Sequence, residues 1–403
     1  WSCDPRRFTA FADNDYCQAK AAEVYGHEYA IHFPFHSWPA GRNKKLSPVH
    51  AKIIEKGGQM GAYNGWERSN WFAKPEDDKS EAATQTWKRE GPWFQRVKEE
   101  CLIVHSNVGV LDLPGFARYH VSGEGAGDWL LSQIVGALPA VNRLNLGYFS
   151  DERGRVLTEM SIMHLGKDEL ILITAGAAQW HDLEVLKKGR TEGSKINVVD
   201  QTDEWFCLIV TGPKSRNLLS KISNADLELP WLSLQWTQIL GKDVLLARVS
   251  YAGELGWEIH VRKQDLPEVY DLVTLEGATP FGMFALDSLR VEKGYRAWKG
   301  DLSTDYTILE SGLDRFIKFD KAQVFKGKDS LLKEKQRGVS KKFVTMIVEG
   351  NDCDAPYMST VMFDGKIVGE VTSGAYGHRV GASIASFIFF FLLGYLSVYF
   401  SRY

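Results

Sequence analysis

The pattern of apolar and polar positions changes twice along the chain. Residues 1–75 are dense in aromatics, Gly and Pro, as in "YAIHFPFHSWPAGR" and "GWERSNWFAKP". They predict irregular structure around a few short helices, one starting near Asp13 with Asn14 or Asp15 as cap. The polar stretch Lys74–Gln85 reads as a linker or exposed loop. From Trp87 regular elements begin. "PWFQRVKEECLIVHSNVGVLDL" predicts a helix and then a strand, and "FARYHVSG" alternates as a strand does. "GEGAGDWLLSQIVG" is an amphipathic helix. "RVLTEMSIMHLGKDELILITAG" is a hairpin turning at Gly166-Lys167-Asp168, and "QWHDLEVLKKGR" is a helix. Within that hairpin, alternation puts Val156, Thr158, Met160 and Ile162 on one face and Leu157, Glu159 and Ser161 on the other.

The same order of strands, helix, hairpin and helix recurs from Asn197, through "DVLLARVSYAGELGWEIHVR" to "DLPEVYDLVTLEG". Segregated hairpins and helices predict an α+β fold with antiparallel sheets and flanking helices. The recurrence suggests two similar halves sharing one core, although no sequence repeat is visible. From Lys341 a β-rich unit begins, with a turn at Asp364-Gly365. From Gly381 to Phe400 no residue is charged, a run about the length that spans a bilayer.

Composition narrows the possibilities. Lys plus Arg number 48 and Asp plus Glu 51, a net charge of −3, which gives no reason to expect nucleic acid as a partner. The 13 Trp suit stacking surfaces as well as cores. The five Cys are far apart and none makes a CxxC pair, which argues against a disulfide framework or zinc site and for a reducing compartment. No metal ligands are assigned. His105, His164 and His181 are isolated and read as structural or exposed. No GxGxxG follows an early strand and no P-loop occurs, so no dinucleotide fold is predicted.

"SYAGELGWE" puts Tyr251 and Glu258 on a glycine-containing hairpin. Tyr251 could stack on a flat ring, and Glu258 could accept two N–H groups from a 2-amino-pyrimidinone edge. A Gly-rich hairpin with a solvated Glu has the same pattern.

Five blocks in order carry a resemblance: Gly41–Pro75, "VGVLDLPGFARYHVSG", "LGYFSDERGRVLTEMSIMHL", "VSYAGELGWEIHV" and "ALDSLRVEKGYRAWKGDLSTDYTILESGL". Together they resemble the linker and folate-binding region of the dimethylglycine and sarcosine dehydrogenases, which is similar to the glycine-cleavage T-protein. The resemblance implies a T-protein-like folate-binding domain over residues 86–340. Residues 1–85 would end a flavin-oxidoreductase central domain, and residues 341–385 would start a C-terminal β-barrel domain, left incomplete. It implies tetrahydrofolate as the ligand and formation of 5,10-methylenetetrahydrofolate. Phe116, Tyr251, Glu258 and Tyr295 would line the pterin pocket, and Glu159, where the family often has Asp, would stand near N10 of the folate. Leu286 departs from the T-protein, which has an Arg there.

FAD is expected in the full-length family but not on this chain. The flavin domain, upstream or on a separate chain, is the expected partner. The compartment would be a bacterial cytoplasm or the mitochondrial matrix, with membrane association only if the apolar run is real. Residues 386–403 are expected to be a tail foreign to the family. Two alternatives share the resemblance: a non-catalytic relative like the pyruvate dehydrogenase phosphatase regulatory subunit, and a stand-alone glycine-cleavage aminomethyltransferase.

Overall fold

The structure, a computed structural model, describes residues 4–30, 32–190 and 193–390. It opens with α1 (Asn14–Gly26), whose cap is Asp13, one residue before the expected candidates, accepting from the Tyr16 N–H. Then come α2 (His50–Glu55) and the hairpin of β1 (Gly58–Tyr63) with β2 (Trp66–Phe72). The polar stretch holds only the single-turn α3 (Glu81–Thr84), and α4 (Phe94–Ser106) follows. The first half of the central body is β3 (Gly109–Asp112), β4 (Phe116–Ser122), α5 (Ala126–Gln133), β5 (Arg143–Ser150), β6 (Val156–Gly166), β7 (Glu169–Ala175) and α6 (Gln179–Lys188). The second half repeats that order as β8 (Asn197–Asp200), β9 (Trp205–Thr211), α7 (Ser215–Ile222), β10 (Leu234–Ile239), β11 (Lys242–Ala247), β12 (Gly256–Arg262) and α8 (Leu266–Leu275). It closes with the short β13 (Thr279–Pro280), α9 (Met283–Glu292) and α10 (Lys328–Arg337).

Two sheets result, ordered β5-β6-β7-β4-β8 and β10-β11-β12-β9-β3-β13. The halves exchange their first strands. β3 begins the first half but pairs with β9, and β8 begins the second half but pairs with β4. The outer face of the five-stranded sheet is covered by α5 and α6 through Trp129, Leu130, Leu183 and Leu186. That of the six-stranded sheet is covered by α7 and α8 through Leu218, Leu219, Val269 and Tyr270. The inner faces meet at Leu144, Met163, Ile171, Leu234, Leu245 and Ala247. This is the expected α+β architecture, with four layers around one inter-sheet space.

The C-terminal unit is a four-stranded antiparallel sheet, β14 (Lys341–Val348), β15 (Thr360–Phe363), β16 (Lys366–Gly377) and β17 (Ala382–Phe390), in the order β14-β17-β16-β15. Asp364 and Gly365 both adopt positive φ, as a tight hairpin turn requires. The tail expected from residue 386 does not begin there. Ser386–Phe390 continue β17, which pairs on both sides with β14 and β16, so its apolar side chains are those of a central strand. Residues 391–403 lie outside the described residues. Among the described residues no helix is long and apolar enough to cross a membrane.

Candidate functional site

Strand register decides which side chains enter the inter-sheet space. On the six-stranded sheet the row Leu234–Ala247–Glu258–Ile209–Leu111 shares one face, and the next row carries Leu245, His260 and Cys207. Their neighbours Trp257, Ile259 and Val261 point the other way, into the helix-covered core. On the five-stranded sheet the row Leu146–Ser161–Ile173–Arg118 faces inward. Two residues further along the same strands stand Glu159 on β6 and Phe116 on β4. The apolar contact that joins the sheets therefore passes into a polar region holding Glu258, His260, Arg118, Ser161 and Glu159.

Glu258 is partly open, and its Oε2 lies 3.1 Å from His260 Nε2. His260 Nδ1 lies 3.4 Å from Nη1 of Arg118. The Arg118 guanidinium rests on the Trp205 ring at 4.6 Å, and burial pulls it down to about 9. Burial also lowers the His260 imidazole, against the pull of Glu258. Phe116, 37% exposed, lies under the Arg68 guanidinium at 5.1 Å, which opens its ring to one side.

Tyr251 lies in the loop joining β11 to β12, and Tyr295 follows α9. Their rings stack at 6.0 Å with an interplanar angle of 20°. The Tyr251 hydroxyl donates to the Arg296 carbonyl at 2.8 Å. Glu159 stands directly across from Tyr148 of β5. Burial pushes the Glu159 carboxyl up to about 7, while Tyr148 and the positive Arg296 favour its ionised form. The electrostatic environment of the Tyr251 hydroxyl includes Glu159. Glu258 and Phe116 stand on facing sheets, with Arg118, two residues from Phe116, joined to Glu258 through His260. Tyr251 and Tyr295 stack on each other in the loops beyond the strands. The expected face assignment on β6 matches the burial, with Thr158 hydrogen-bonding buried Asp182 on the opposite side.

The sequence did not single out Arg118, Tyr148, His260 or Arg296. Each sits in an ordinary alternating or turn segment, and only strand pairing shows its neighbour. The same holds for Cys207, whose Sγ comes within 4.8 Å of ligand atoms of Glu258 and His260. That trio has metal-ligand chemistry although the sequence shows no ligand spacing. Its donor geometry fits a hydrogen-bond chain better. Arginine only donates, so Arg118 at Nδ1 leaves the ring proton on Nε2, the nitrogen that faces the other two groups. Leu286 is buried among Trp93, Phe94 and Leu289, so it is a packing residue and not a ligand contact. Two open surface grooves, along Trp236–Asp243 and beside α8, contain none of the five predicted residues.

Residues 49–321 match the GCVT N-terminal domain. The chain belongs to the glycine-cleavage T-protein family. In this family member, residues 1–47 also match the FAD dependent oxidoreductase central domain, and residues 341–388 match the glycine cleavage T-protein C-terminal barrel domain. That set is the one expected for the C-terminal part of the dimethylglycine and sarcosine dehydrogenases. The chain is 33% identical to mitochondrial dimethylglycine dehydrogenase of Rattus norvegicus over 95% of its own length and 45% of the relative's. It is 28% identical to mitochondrial sarcosine dehydrogenase of Mus musculus, over 96% of this chain and 47% of that one. The chain therefore spans less than half the length of these relatives. Among solved structures, aminomethyltransferase T of the glycine cleavage system from Bartonella henselae shares the fold, with a TM-score of 0.74 and 21% identity, covering 86% of this chain and 90% of that one.

Proposed function

We propose that this family member holds the tetrahydrofolate site of a dimethylglycine or sarcosine dehydrogenase-like flavoenzyme, forming 5,10-methylenetetrahydrofolate from the one-carbon unit that amine oxidation releases. The observation that supports this reading is a partly open Glu258 carboxylate on β12, with Tyr251 in the loop that leads into that strand and stacked on Tyr295. The free edge of the Glu258 carboxylate would accept the amino and ring N–H groups of the pterin. Tyr251, Tyr295 and Phe116 would supply its apolar walls. When a folate nitrogen attacks the one-carbon unit it sheds a proton, and Glu159, held near 7 by burial, would take it. The flavin that oxidises the amine would come from a partner flavin domain, where the iminium or formaldehyde arises. The compartment would be that of the named mitochondrial relatives.

Calorimetric titration of the purified chain with tetrahydrofolate tests the reading. Glu258→Ala should cost about 2 kcal/mol of binding, because the ligand's donors lose a charged acceptor. No heat and no thermal shift at millimolar tetrahydrofolate would overturn it.

A further inference from the structure

We infer that Arg118, His260 and Glu258 form a directional hydrogen-bond chain in which His260 is the positioning residue that aims the Glu258 carboxylate. The inference rests on the folate reading only for the identity of the ligand. The chain itself follows from geometry.

Arg118 has five N–H groups and no acceptor, so its contact of 3.4 Å with His260 Nδ1 requires a lone pair there. The ring proton then belongs to Nε2, which donates to Glu258 Oε2 at 3.1 Å. Glu258 is left with its second oxygen unengaged by His260. Two residues apart on β12, Glu258 and His260 point to the same side, and Arg118 approaches from the opposing sheet. The link therefore also fixes the distance between the sheets where the ligand would lie.

The surroundings of Arg118 indicate that this arrangement serves a function. The residue is 3% exposed, and among the described residues no carboxylate forms an ion pair with it. Among the same residues its buried Nε and Nη2 find no hydrogen-bond partner, and the Trp205 face is the main compensation. A bare buried cation of this kind is costly, and an apolar residue would pack more stably. What the fold gains is a fixed tautomer. A free imidazole could rotate and offer Glu258 either a donor or an acceptor. A ring held by an obligate donor offers only N–H. The carboxylate is thereby pinned through one oxygen, and the other keeps a single direction.

Two measurements on the whole chain test this. The first needs no ligand. In a ¹⁵N-detected spectrum of the apo protein, His260 should show protonated Nε2 and bare Nδ1, and Arg118→Met should release the ring into a tautomer mixture. Protonated Nδ1 in the wild type would overturn the inference. The second compares binding of tetrahydrofolate with that of a folate analogue whose 2-amino group is replaced by methyl. His260→Leu should weaken tetrahydrofolate roughly tenfold or more and shrink the discrimination between the two, as expected for loss of a charge-assisted bond. His260→Gln, whose amide can accept from Arg118 and donate to Glu258, should restore much of both and stands in if the Leu variant fails to fold. Unchanged affinity and discrimination in His260→Leu, or no recovery in His260→Gln, would overturn the positioning role. A correct tautomer in a protein that binds neither compound would refute the folate reading and leave the hydrogen-bond chain standing.

Discussion

Asp301 should be among the most sensitive positions in the molecule, although it touches no proposed ligand. It is fully buried and accepts four hydrogen bonds: from Arg290 Nη1 at 2.6 Å, the Ala297 N–H at 2.9 Å, Ser373 Oγ at 2.9 Å and Thr372 Oγ1 at 2.6 Å. Arg290 also donates to the Tyr295 carbonyl at 3.1 Å. One ion pair thus ties the loop carrying Tyr295 and Arg296 to the C-terminal sheet. In Asp301→Asn the amide can still accept, but Arg290 loses its buried counter-charge, keeping only the half-exposed Asp287 at 2.7 Å, and one acceptor position becomes a donor. Removing one partner of a buried pair costs about 3–5 kcal/mol. At roughly 2–4 °C per kcal/mol for chains somewhat shorter than this one, Tm should fall by roughly 5–15 °C. Urea unfolding monitored by tryptophan fluorescence reads the same loss. The control is Glu124→Ala, which removes an exposed pair with Lys195 at 2.7 Å and should cost less than about 1 kcal/mol. A loss below about 1 kcal/mol in Asp301→Asn, or one no larger than the control's, would refute the reasoning.

Two further outcomes are expected. Burial raises Glu159 in the folded state, so its contribution to stability is present below its ordinary value of 4.5 and lost as pH rises through about 7. Glu159→Gln should flatten the stability profile across that window, and in a chain joined to a flavin domain it should divert product to free formaldehyde by about 10²-fold or more. An unchanged profile and product ratio would make Glu159 an ordinary strand residue. Gly282→Ala would set a Cβ 2.1 Å from the Asn70 carbonyl oxygen, in rigid backbone at the start of α9. That overpacking should cost about 1–3 kcal/mol by thermal unfolding, and a neutral result would show that β2 and α9 can separate.

The architecture was legible because both strand and helix periods are strong in the central body. "RVLTEMSIMHL" alternates cleanly enough to fix the inward face that carries Glu159, and the Gly166-Lys167-Asp168 turn fixes its hairpin partner. The repeated element order also revealed two halves, but not that they trade their opening strands. No local pattern encodes which edge β3 or β8 will join. The site was half legible. Tyr251 and Glu258 drew notice as an aromatic and an acid on a glycine-containing hairpin, and Tyr295 entered through the family resemblance. Arg118 and His260 sit in ordinary alternating segments, and only the packing of the two sheets makes them buried and mutual. The apolar run was ambiguous because a central strand and a membrane span share a composition; its part up to Phe390 is strand, and the rest lies outside the described residues. β17 is apolar since it is covered by neighbours on both edges.

The exchange of β3 and β8 makes the two halves of the central body hostages to one another. If the chain were severed after α6, the first piece would keep β4 with one edge bare, and the second would keep β9 in the same state. Each bare edge is a row of unpaired amides and carbonyls that only the other piece is shaped to cover. The body should therefore form in one late cooperative step, after distant segments have found each other. Closing those long loops makes such topologies slow to fold. In a crowded cell the same edges would accept β3 or β8 from a neighbouring copy, so the natural failure of this fold is a swapped assembly whose local pairing is entirely native.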